Sequence, residues 1–66
     1  MKLIDILDIV HESNTISIYS SYDEGSFLLG WYDNKNNVDE FLNDKRVVEL
    51  LADGIELIIT IIAEEN

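Results

Sequence analysis

Lys45-Arg46-Val47-Val48-Glu49-Leu50-Leu51-Ala52, followed by Asp53-Gly54 and then Ile55-Glu56-Leu57-Ile58-Ile59-Thr60, is the stretch on which the fold turns. Read as helix, Val48, Leu51 and Ala52 continue a stripe begun by Val38, Phe41 and Leu42, and Gly54 closes it as a C-cap. Read as strand, Asp53-Gly54 is a two-residue hairpin turn that sets Ala52 opposite Ile55, Leu50 opposite Leu57 and Val48 opposite Ile59, all on one face. The hairpin accounts for more residues at once. It leaves Val47, Glu49 and Leu51 with Thr60, Ile58 and Glu56 on a second, partly solvated face. Both readings are α+β: the strand reading gives the order α-β-β-α-β-β, the helix reading α-β-β-α-β.

Working outward, residues 2–12 place Leu3, Ile4, Ile6, Leu7 and Val10 on one helical arc and Asp5, Asp8 and Glu12 on the opposite side, which predicts an amphipathic first helix. Ile9 falls beside the carboxylates and should be partly exposed. Thr15 to Ser20 alternates with period two and is rich in β-branched residues, so a strand follows. Ser21-Tyr22-Asp23-Glu24-Gly25 has turn chemistry, and Ser26 to Tyr32 resumes an extended pattern, completing a hairpin. Its apolar side should carry Ile16 and Ile18 with Phe27, Leu29 and Trp31, while Tyr19, Leu28 and Tyr32 point the other way. Asn37 with Glu40 three residues on has the pattern of a helix N-cap, predicting a short helix from Val38 to about Asn43. The expected architecture is a single domain over 1–66, an antiparallel four-stranded sheet with two helices on one face.

Composition narrows function by exclusion. The chain has 66 residues, 47% of them hydrophobic, with fourteen acids against four bases and a formal net charge of −10. At this mass roughly 60% of the surface is buried on folding, enough for one core. With no cysteine there is no disulfide frame or thiolate metal site, and a reducing cytoplasm is the default compartment. Asp5 and Asp8 interrupt the apolar N-terminus, so neither a signal peptide nor a membrane span is expected.

Catalytic, metal and cofactor sites are not expected. His11 is the single histidine. With Asp8 and Glu12 it could form an acid/base or metal pair, but it reads better as a boundary residue, and no second histidine completes a metal site. Asp33 to Glu40 has the outline of a calcium loop, yet Lys35 takes a ligand position and Val38 stands where the turn needs glycine. The adjacent carboxylates Asp23-Glu24, Asp39-Glu40 and Glu64-Glu65 build no cleft that would separate their pKa values. No glycine-rich phosphate loop is present. Direct nucleic-acid binding needs a basic footprint, and Lys2, Lys35, Lys45 and Arg46 do not make one under so negative a total.

Two features remain. The charge surrounds the molecule with a negative potential that steers association with basic surfaces. The expected partner-binding residues are Asp5, Asp8 and Glu12 along the first helix with Asp39, Glu40 and Asp44 around the second, and the expected partner is a basic, nucleic-acid-binding host protein. The other feature is the sheet face away from the helices, expected to carry Tyr19, Leu28, Tyr32, Val47, Leu51, Ile58 and Ile62, more apolar than an open face needs. A homodimer through Tyr19, Leu28, Tyr32, Leu51 and Ile58 would cover it, with the charge then serving solubility.

The segments Lys2-Leu3-Ile4-Asp5-Ile6-Leu7, Thr15-Ile16-Ser17-Ile18-Tyr19, the aromatic end of the second strand and Lys45-Arg46-Val47-Val48-Glu49 together resemble small acidic proteins encoded by phages and prophages of Gram-positive bacteria. The likeness spans nearly the full chain at the level of pattern and brings no motif to transfer. It implies an accessory, intracellular, non-enzymatic protein. That group includes anti-CRISPR and anti-restriction inhibitors of host defence, several of them acidic nucleic-acid mimics.

Overall fold

The strand reading of the deciding stretch holds. A computed structural model describes residues 1–22 and 25–63, and its elements run α1 (Leu3–Leu7), β1 (Thr15–Tyr22), β2 (Gly25–Tyr32), two single 3-10 turns at Lys35–Asn37 and Glu40–Leu42, β3 (Arg46–Asp53) and β4 (Glu56–Ile62). The carboxylates of Asp23, Glu24, Glu64 and Glu65, with the centre of the first hairpin turn, lie outside the described residues.

The sheet is mixed, in the order β2-β1-β4-β3, which corrects the all-antiparallel expectation. β1 and β4 run parallel in the middle, and each carries its own hairpin partner on the outside. Side-chain chemistry explains the arrangement. Parallel strands need burial on the sheet, and β1 is uncharged while β4 is uncharged beyond Glu56. β3, with Arg46, Glu49 and Asp53, takes an edge, where charge discourages further pairing.

The second hairpin is shifted two residues from the expected register. Asp53 pairs with Glu56, Ala52 with Leu57 and Leu50 with Ile59, so the loop is Gly54-Ile55. A turn on Asp53-Gly54 would need positive φ at both positions, whereas here only Gly54 has it, at 63°. A shift of two preserves the faces, so Leu50, Ala52, Leu57 and Ile59 remain on one side. Nothing lies within 4 Å of a Cβ added at Gly54, so Gly54→Val tests the backbone alone. We expect a loss of about 1–2 kcal/mol, read as a lower thermal midpoint.

Bulges alter both edge strands. In β2 the register slips at Leu29: Ile18 faces Gly30, Tyr19 faces Leu28, Ser17 faces Trp31 and Ile16 faces Tyr32. Trp31 and Tyr32 therefore exchange the sides expected of them. In β3 the slip at Val48 puts Val47 opposite Ile61, on the covered side rather than the open one. Gly30, beside the first bulge, leaves room for the Tyr32 ring: a Cβ there would lie 2.7 Å from the Tyr32 hydroxyl.

The helical part is smaller than the sequence predicts. α1 has five residues and the second helix is replaced by the two 3-10 turns. Ser13 N–H donates to His11 Nδ1 at 3.0 Å, a local bond that competes with continuing the helix through β-branched Ile9 and Val10. In the link after β2, Asn34, not Asn37, is the cap: its side chain accepts the N–H of Asn36 at 2.9 Å, and Val38 then turns extended. The apolar arc is nonetheless used largely as read, with Ile4 only half-buried. Leu3, Ile6, Leu7 and Val10 are buried with Ile16, Ile18, Val38, Leu42, Ile59 and Ile61 in one core, and Ile9 is 82% exposed.

Candidate functional site

α1 and the link between β2 and β3 lie on the same face of the sheet, because both contribute to the core built on Ile16, Ile18, Ile59 and Ile61. They are tied together directly. Leu3 N–H donates to Lys45 O at 2.9 Å and Ile4 N–H to Asn43 O at 3.0 Å. A shallow groove between them is lined by Ile4, Leu7, Asn36, Val38 and Asn43 with the carboxylates of Asp8 and Glu40 and the cation of Lys35. Asp5, Asp8, Glu12, Asp39, Glu40 and Asp44 are all exposed. The segments that bear the six carboxylates are thus tied into one layer. Two of the six also serve the fold: Asp5 Oδ2 accepts Lys2 N–H at 3.0 Å, starting α1, and Asp39 Oδ2 accepts the Tyr32 hydroxyl at 3.2 Å.

The Tyr32–Asp39 bond anchors the link to β2 beside a cleft of about 250 Å³ lined by Leu29, Tyr32, Asp39, Phe41 and Lys45. Burial pushes the Tyr32 phenol above its ordinary value of 10.0, and the hydrogen bond and negative charge of Asp39 push it the same way. The neutral phenol is favoured in the folded state. Its contribution to stability is therefore complete below the ordinary tyrosine value and lost as pH rises through the raised one. In a phenolate absorbance titration, the component missing from Tyr32→Phe should appear late, and Asp39→Ala should move it toward the ordinary value. A Tyr32 component already at the ordinary value would contradict the contact.

The opposite face of the sheet is open. Strand register places Trp31, Ser17, Ile58 and Leu51 in one row across the four strands, and Leu28, Tyr19, Thr60 and Glu49 in the next. Below them lie Thr15, Glu56 and Asp53, with Ser17 Oγ donating to Glu56 Oε2 at 2.7 Å. Leu28, Trp31 and Leu51 are about half exposed. Of the expected dimer-face residues, Tyr19, Leu28, Leu51 and Ile58 are on this face; Tyr32 is on the other. Trp31, the largest side chain here, was missed by strict alternation. The signal for it is Gly30, since a glycine inside a strand marks a bulge.

Neither face assembles a reaction centre from the residues considered above. His11 is exposed and bonded to Ser13, whose Oγ is 2.8 Å from Nδ1. No group of three or more potential metal ligands occurs among the described residues, so the outline of a calcium loop at Asp33 to Glu40 gathers no such set. No helix among them is long and apolar enough to cross a membrane. Comparison with protein-family models, with curated proteins and with solved structures finds no match to this chain.

Proposed function

We propose that this chain is a non-enzymatic acidic interaction protein, phage- or prophage-encoded, that masks the basic groove of a host nucleic-acid-binding protein or defence nuclease. The observation that carries the reading is the tied acidic layer: six exposed carboxylates borne by α1, the residues just after it, and the link, with the last pinned to the first by backbone hydrogen bonds. Carboxylates held on a fixed scaffold can stand where phosphates would lie, and a preset anionic surface raises the rate of encounter with a cationic one. Net charge −10 supplies the long-range attraction. The test is capture from host lysate at two ionic strengths. A nucleic-acid-binding protein recovered at low salt and lost at high salt supports the reading; salt-insensitive recovery, or none of that class, contradicts it.

A second reading, structural self-association with charge serving only solubility, is favoured by the half-exposed Leu28, Trp31 and Leu51 on the open face.

A further inference from the structure

The cleft beside the Tyr32–Asp39 bond combines an apolar wall with two opposite charges. Leu29, Phe41, Leu42 and Ala63 form the wall, and Asp39 and Lys45 line the same space. One core residue fixes the backbone of both. Leu42, 2% exposed, donates its N–H to Asp39 O at 3.1 Å and accepts the N–H of Lys45 at 3.0 Å. The Tyr32 hydroxyl takes Oδ2 of Asp39, which leaves Oδ1 for another donor. Among the described residues Lys45 forms no ion pair, with Asp39 or with any other carboxylate. The cleft therefore holds a carboxylate and an ammonium that do not neutralise each other. A mostly apolar recess with a few convergent polar groups is how proteins bind small molecules.

We propose that this cleft binds a free apolar α-amino acid, with its ammonium on Asp39, its carboxylate on Lys45 and its side chain against Leu29, Phe41 and Leu42. Charge selects the class first. A zwitterion offers each cleft residue its opposite and brings no net charge, so the field of a chain at −10 neither draws nor expels it. A lone cation would meet Lys45 unmatched, and a lone anion would meet both Asp39 and the field of the whole molecule. Size agrees. The cleft of about 250 Å³ has room for about eight waters at ~30 Å³ each, the bulk of a leucine or phenylalanine and less than a nucleotide needs. Phe41, 71% exposed, supplies apolar surface that the ligand's side chain would remove from water. This site goes beyond the masking of a basic groove: amino-acid binding and capture of a cationic protein are separate properties, and either can fail without the other.

Titration of the intact chain with L-phenylalanine, followed by backbone amide NMR at physiological salt, tests this. Saturable shifts are expected at Asp39, Phe41 and Ala63, with half-saturation in the millimolar range, and none at Leu28 or Leu51 on the open face. Phenethylamine lacks the carboxylate and 3-phenylpropionate the ammonium; each should bind roughly fivefold more weakly, the effect of losing one exposed charge pair. Lys45→Met keeps the apolar stem and the backbone bonds, and should erase the preference for phenylalanine over phenethylamine. Asp39→Asn can still accept the Tyr32 hydroxyl, and should erase the preference over 3-phenylpropionate. Should either variant lose its thermal midpoint, the three ligands on the unaltered chain decide. No saturable shift at the cleft residues up to the solubility limit of phenylalanine overturns the proposal. Equal binding of phenethylamine overturns it by making the cleft a seat for a basic side chain, and equal binding of 3-phenylpropionate overturns it by removing Asp39. Shifts as large on the open face mean nonspecific association and overturn it as well.

Discussion

Ile59→Ala is expected to remove most of the stability of this chain. Ile59 is fully buried at the centre of the sheet, between Ile18 of β1 and Leu50 of β3. Truncating such a residue costs about 2–5 kcal/mol, from lost transfer energy and the cavity left behind. At roughly 0.05–0.15 kcal/mol per residue, a chain of this length has about 3–10 kcal/mol in total. Urea unfolding followed by circular dichroism should show a much lower midpoint or no folded baseline. Leu51→Ala, one position along β3 but half exposed, should cost less than about 1 kcal/mol. Equal effects at the two positions would mean that the open face is the true core.

Capture of a cationic partner should fail when Asp8, Glu12 and Glu40 are all changed to lysine. The net charge moves from −10 to −4, since each reversal adds two, and repulsion replaces attraction at three exposed points. At about 1 kcal/mol per contact, affinity should fall roughly a hundredfold. Asp5 is left in place because its carboxylate starts α1, so its reversal would mix folding with binding. The triple variant should keep its far-ultraviolet spectrum and thermal midpoint. Undiminished capture would remove the acidic layer from the interface.

What could be read from the sequence followed range. Hairpins are local, and both were legible: alternation at Thr15 to Ser20 and glycine at 25 and 54 identify them without knowledge of the rest. Leu3, Ile6, Leu7 and Val10 were legible as core because burial follows the apolar arc even where the helix stops early. The parallel junction of β1 with β4 was not. It joins residues such as Thr15 and Glu56, far apart in the chain, and no turn records the direction in which two hairpins dock. The bulges were missed because strict alternation has no place for an extra residue, and each one moved a side chain across the sheet. The acidic residues were legible as exposed, but not that Asn43 and Lys45 bind their two segments together, since that contact is between backbones.

The strand that completes the core is the last of the four to be synthesised. Until β4 emerges, β1 lacks its inner neighbour and Ile16 and Ile18 have nothing to pack against on that side. Folding must close a loop over most of the polypeptide, which places this small domain among the slow rather than the fast folders. A chain that stops before Ile59 would leave β3 without its hairpin partner and Ile16 and Ile18 without cover on one side, and such exposed apolar strands are prone to proteolysis and aggregation.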